Sequence, residues 1–186
     1  MLISLLEIVY MLITTAVIAY IFMDYIKLPT AFFQKPKFDW NNFKFAALVA
    51  APGIILHELS HKFTAMGFGY EATFNIFLFG LFLGIFLKWI KSPFIILAPG
   101  YVAIMGAQIG IQNSIIAFAG PFVNLVLWLG SWLILNKAHK LKRKTALFLY
   151  LTKQINMILF IFNMIPIPPL DGYQTLMGII GLLNIF

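Results

Sequence analysis

The chain has 186 residues, of which 62% are hydrophobic and 10% charged. A soluble domain is nearer half apolar and about a quarter charged, so this composition excludes an ordinary water-soluble enzyme and points to an integral membrane protein. The net charge of +7 admits nucleic-acid binding as one reading, but its densest cluster, Lys137, Lys140, Lys142, Arg143 and Lys144, lies between two apolar spans. It therefore reads as a loop held near the bilayer surface, with no nucleic-acid partner expected.

Leu2 to Met23 is almost wholly apolar and long enough to cross a bilayer. It has no basic start and no small-x-small cleavage site, so it reads as a retained first helix, with Glu7 at an interfacial position. Asp24 to Asn42 is a polar connection in which Pro29 and Pro36 break helix. Phe43 to Met66 is a second span, and Pro52 and Gly53 lie about one turn before His57. Phe74 to Ile90 is apolar but borderline in length. Phe94 to Met105 is β-rich and interrupted by Ala98-Pro99-Gly100. Segments of this kind form short spans, re-entrant loops or embedded strands, tolerated at membrane depth only where protein covers them or water reaches them. Gln108, Gln112 and Asn113 read as a polar approach to a third span, Ile115 to Asn136, with Pro121 in its first turns. Thr145 to Ile165 is the fourth. The prolines of Ile165-Pro166-Ile167-Pro168-Pro169 then end any helix, and Tyr173 to Phe186 is too short to be a confident span. The expected fold class is an α-helical polytopic membrane protein, with about four transmembrane helices and a short membrane-embedded β or re-entrant region between the second and third.

The chemistry centres on His57-Glu58-Leu59-Ser60-His61, set within an apolar helix. Histidines four apart share one helix face and can reach one metal ion; the glutamate after the first is placed to take a proton from a water that the metal activates. The bland alternative is a pair of buried imidazoles bonded to neighbouring carbonyls, but ionisable groups at membrane depth are costly and usually functional. A catalytic zinc needs a third protein ligand, and without cysteine it must be His, Asp or Glu. The candidates are Glu7, Asp24, Asp39, Glu71, His139 and Asp171. Asp171 alone lies on a broken helix among apolar residues and is the natural choice, against its reading as a turn aspartate. Asn163, eight residues earlier, is a plausible oxyanion donor. Asn124 is either an interhelical hydrogen-bonding group or a participant at the site.

His57-Glu58-Leu59-Ser60-His61, Gly120-Pro121-Phe122-Val123-Asn124 and Asn163 to Gly172, in that order, strongly resemble the site-2 protease family of intramembrane zinc metalloproteases. The resemblance covers roughly residues 43–172. It implies that His57, His61 and Asp171 bind one zinc per chain, that Glu58 is the base, and that Asn163 and Pro166 hold the substrate backbone. It also implies embedded β structure around Gly67 to Ala72 and Ala98 to Val102, where an edge strand could pair with an unwound substrate segment. A basic loop at the cytoplasmic face would run the His57 helix from inside to outside, opposite to the family's usual direction.

The expected protein is thus a single membrane-embedded metalloprotease domain over 1–186, with no separate regulatory domain. It would be a multi-pass protein of the cell membrane, and its partners would be the lipid bilayer and membrane-protein substrates cut within or near a transmembrane segment. A catalytically inactive relative that binds membrane helices is the alternative. Metal transport fits less well, because repeated halves and further polar midplane groups are not visible.

Overall fold

The computed structural model describes residues 2–26, 38–92, 98–106, 110–138 and 140–182. Helix α1 (Leu5–Phe22) starts where Ser4 and Glu7 close a capping box. The Ser4 hydroxyl accepts from the Glu7 amide at 3.2 Å, and the Glu7 carboxylate accepts from the Ser4 amide at 2.8 Å. Glu7 is therefore buried, in the cap at the start of α1. Helix α2 (Trp40–Gly67) begins after Asp39, whose carboxylate accepts from the amides of Asn41 at 2.9 Å and Asn42 at 3.1 Å. It runs through Pro52 without a break.

The segment from Phe74 to Ile90 is divided. Strand β1 (Glu71–Ile76) takes its first residues, and helix α3 (Leu78–Trp89) takes the rest. Strand β2 (Gly100–Met105) pairs with β1 in a two-stranded sheet. At 12 residues, α3 is about 18 Å long, well short of a hydrocarbon core of about 30 Å. Helix α4 (Ile111–Lys137) starts earlier than the hydropathy suggests, so Pro121 lies in its interior rather than in its first turns. Gln112 and Asn113 belong to its first turn, where Gln112 accepts from the Tyr70 hydroxyl at 2.6 Å. Partners from other elements make those polar residues compatible with a helix. Helices α5 (Arg143–Asn163) and α6 (Asp171–Leu182) complete the chain. Residues 27–37 of the first polar connection, residues 93–97, Gln108 and His139 lie outside the described residues.

Helices α1, α2, α4 and α5 are long and apolar enough to cross a membrane. Their outward residues agree: Leu5 is 74% exposed, Leu12 64% and Ile158 60%. Apolar exposure on this scale suits lipid rather than water. This is a mostly helical, multi-pass membrane protein.

The chain divides into two compact units. The first is Met1–Ile55 with Asn75–Tyr101. In it, Lys88 pairs with Asp24 at 2.8 Å and lies 4.1 Å from the centre of the Tyr20 ring. The second is Leu56–Phe74 with Val102–Phe186 and contains all the residues of the candidate site. In it α4 packs against α5 and α6. Gly178 brings α6 close to α4, where a side chain at 178 would collide with Ser114 and Gly110, and the Ser114 hydroxyl donates to the Thr175 carbonyl at 2.7 Å. Lys62, only 2% exposed, donates to the Ala72 carbonyl at 2.9 Å and so ties α2 to β1.

Candidate metal centre

One turn of α2 separates His57 from His61, and both rings turn into the second unit, 7% and 8% exposed. Their Nε2 atoms are 3.1 Å apart. Asp171, the first residue of α6, brings its Oδ2 to 3.1 Å from His57 Nε2 and 3.4 Å from His61 Nε2. Ligands bonded to a tetrahedral zinc at about 2.0–2.1 Å stand about 3.3 Å from one another. The three observed separations bracket that edge, so the donor set fits a zinc ion in kind and in spacing. Among the described residues these three form the group of His and acidic side chains able to hold a metal.

The rings are oriented from behind. His61 Nδ1 is 2.7 Å from the carbonyl oxygen of Ile116, and His57 Nδ1 is 2.7 Å from Asn124 Oδ1. A carbonyl oxygen only accepts, so Nδ1 donates in both rings, and Nε2 is the atom that each ring turns toward Asp171. Asn124 is fully buried, and its amide nitrogen donates to Asn156 Oδ1 at 2.9 Å. Gly120, one turn before Asn124 on α4, is where the rings fit. A Cβ there would lie 2.7 Å from His57 Cε1 and would also strike His61. At the other side, a Cβ on Gly172 would lie 2.9 Å from the Ile165 carbonyl oxygen. That close approach lets α6 begin beside the end of α5 and sets Asp171 against the histidines.

Glu58 is half-buried beside His57 and within electrostatic reach of His57, His61 and Asp171. Asn124 lies behind His57, facing its ring and the amide of Asn156. Asn163 ends α5 and donates its amide to the Leu159 carbonyl at 3.0 Å; Pro166 is exposed in the α5–α6 connection. Neither joins the cluster's hydrogen bonds. Of the other acidic candidates, Glu7 closes a helix cap, Asp24 pairs with Lys88, Asp39 caps α2 and Glu71 opens β1, exposed. The parts played by Gly120 and Asn156 were not read from the sequence. The one signal was that Gly120 and Asn124, four apart, share a helix face.

The model of peptidase family M50 matches residues 129–184, which include Asp171. A Methanocaldococcus jannaschii protein named "Putative zinc metalloprotease MJ0611" is 33% identical over 147 residues, covering 77% of this chain and 75% of that protein. The chain belongs to peptidase family M50, the site-2 protease family. The Bacillus subtilis protein named "Putative zinc metalloprotease YwhC" is 34% identical over 36% of this chain and 34% of its own length. A Synechocystis protein, "Putative zinc metalloprotease sll0528", is 31% identical over 72% of this chain and 31% of its own length. No solved structure matches significantly. Membership in M50 makes this a chain of the zinc metalloprotease class, carried on membrane helices.

Proposed function

We propose that this M50 protein is an intramembrane zinc metalloendopeptidase that hydrolyses peptide bonds within or near transmembrane segments of other proteins in the cell membrane. The observation that carries the reading is the convergence of His57 Nε2, His61 Nε2 and Asp171 Oδ2, at 3.1 to 3.4 Å, inside an apolar helical unit. His57, His61 and Asp171 hold one zinc ion. When bound, the ion supplies a Lewis acid that polarises a peptide carbonyl and acidifies water.

The chain's own residues do the remaining work. Glu58 takes the proton of the attacking water and passes it to the leaving amine, which needs a carboxylate beside the cluster rather than one used up as a ligand. Asn163 and Pro166 hold the substrate backbone near the break in helix after α5. An edge strand of the β1–β2 sheet pairs with a substrate stretch that has unwound, which exposes an amide that a helix protects. The whole chain acts as one membrane-embedded domain, with its core at 43–172.

The test is cleavage of a reconstituted single-span substrate, measured beside zinc content. Glu58→Gln is expected to keep zinc and lose about 10²–10⁴-fold in rate. His57→Ala and Asp171→Ala are expected to lose zinc and activity together. A zinc-loaded wild-type chain that retains helical membrane proteins but cuts none would instead establish the inactive helix-binding relative.

A further inference from the structure

The first unit, which holds none of the metal ligands, carries a polar cluster of its own where α3 packs on α1. Lys88, in the last turn of α3, pairs with Asp24 at 2.8 Å, lies over the Tyr20 ring and donates to the Tyr20 carbonyl. Beside it the Tyr25 hydroxyl donates to the Ser92 carbonyl at 3.2 Å. These contacts frame a groove of about 620 Å³ that also takes in Ile85, Trp89 and Lys91. Its depth in the bilayer follows from α1, which is long and apolar enough to cross and ends at Phe22. Asp24 and Tyr25 therefore stand where the chain leaves the hydrocarbon, in the layer that phospholipid phosphates occupy. Trp89, 78% exposed, and Tyr25, 48% exposed, have the amphipathic rings that favour this level.

The groove has one cation more than its acids require. Asp24 is the acidic residue that lines it, and Lys88 answers that charge. The exposed Lys91 has no carboxylate partner among the described residues. Its backbone is a second observation. α3 ends in a left-handed turn, with Lys91 at φ 53° and the Ser92 amide donating to the Leu87 carbonyl at 2.9 Å. Glycine takes this position without strain and lysine does not. The carbonyls ending α3 do not need this second cation, since Lys88 already stands in the last turn. A strained position that keeps a long cationic side chain points to a use for that side chain. We propose that the groove seats an anionic phospholipid, with Lys91 paired to the headgroup phosphate and Trp89 and Ile85 flanking the start of an acyl chain. A headgroup with its own cation neutralises its phosphate internally and gains less from Lys91. The class expected is a lipid such as phosphatidylglycerol, whose headgroup is uncharged apart from the phosphate. This holds whether or not the chain cuts a substrate.

The test is quenching of Trp89 fluorescence in the full chain, reconstituted in bilayers with a small share of lipid brominated high on its acyl chains. The sequence has four tryptophans, so the Trp89 signal is taken as the difference from a Trp89→Phe chain made in each background. Brominated phosphatidylglycerol is compared with brominated phosphatidylcholine at equal mole fraction. Wild type is expected to prefer phosphatidylglycerol about fivefold, the worth of one lysine at a membrane surface. Lys91→Gln should remove that preference. Lys140→Gln, which deletes the same charge from the exposed loop between α4 and α5, should leave it unchanged. Equal quenching by the two lipids in wild type overturns the proposal, whether or not any variant folds. So does a preference that survives Lys91→Gln, or one that Lys140→Gln lowers as far, since general surface charge would then explain it. Inorganic phosphate that displaces the brominated lipid further than potassium chloride of equal ionic strength would make the occupant a free anion and overturn the lipid assignment.

Discussion

His61 and His57 face the same carboxylate, yet they are held in different ways. His61 leans on the main chain of α4, through the Ile116 carbonyl at 2.7 Å. His57 leans on two side-chain amides, Asn124 on α4 and Asn156 on α5, and only then reaches a main-chain carbonyl, Thr152. The first support depends on how near α4 comes to α2 and is indifferent to which side chain stands at 116. The second is written into residue identities on two helices. In an apolar interior an imidazole N–H left without a partner is costly, so each ring needs one support or the other. One metal centre can therefore be robust to substitution on one ligand and sensitive on its neighbour.

The largest effects break both supports together, by removing what they serve. His57→Ala, His61→Ala or Asp171→Ala should each abolish stoichiometric zinc binding, as read by metal analysis of the purified chain. A variant that kept full zinc would remove its residue from the site. Next comes Gly120→Ala. Its methyl would press on both rings at once, so the difference between the two supports should vanish. The expected cost is about 1–3 kcal/mol in stability, with weakened zinc binding, by thermal unfolding and zinc titration. Wild-type affinity in Gly120→Ala would show that the rings do not rest against this helix.

What the sequence made legible follows the same division. His57, Glu58 and His61 were readable because helical spacing alone puts the two histidines on one face. Asp171 was readable by elimination in a chain without cysteine, on a broken helix. The capping box of α1 is also present in the sequence as Ser4-x-x-Glu7. The start of α4 was not legible, because Gln112 and Ser114 in its first turns are satisfied by Tyr70 and by the Thr175 carbonyl, partners distant in sequence. In the sequence Asn156 is one polar residue among several in an apolar span, with Gln154 and Asn163. Its meaning depends on the packing of α5 against α4, which no local pattern encodes. Gly120 is similar: a glycine in a helix is a weak local signal until two imidazoles are found against it.

Two milder substitutions sharpen the contrast, one behind each histidine. Asn124→Leu removes the acceptor for His57 Nδ1 and also leaves the Asn156 oxygen without that donor. Zinc affinity should fall about 10–100-fold. Ile116→Val is the matching change behind His61. Ile116 is 2% exposed, so losing one methylene should cost about 0.5–1.5 kcal/mol in unfolding stability. Yet the carbonyl that His61 uses belongs to the backbone and survives the substitution. Zinc affinity should therefore stay at the wild-type value while the unfolding midpoint drops. If Ile116→Val weakened zinc as much as Asn124→Leu, the support behind His61 would depend on side-chain packing after all, and the two ligands would be held in the same way.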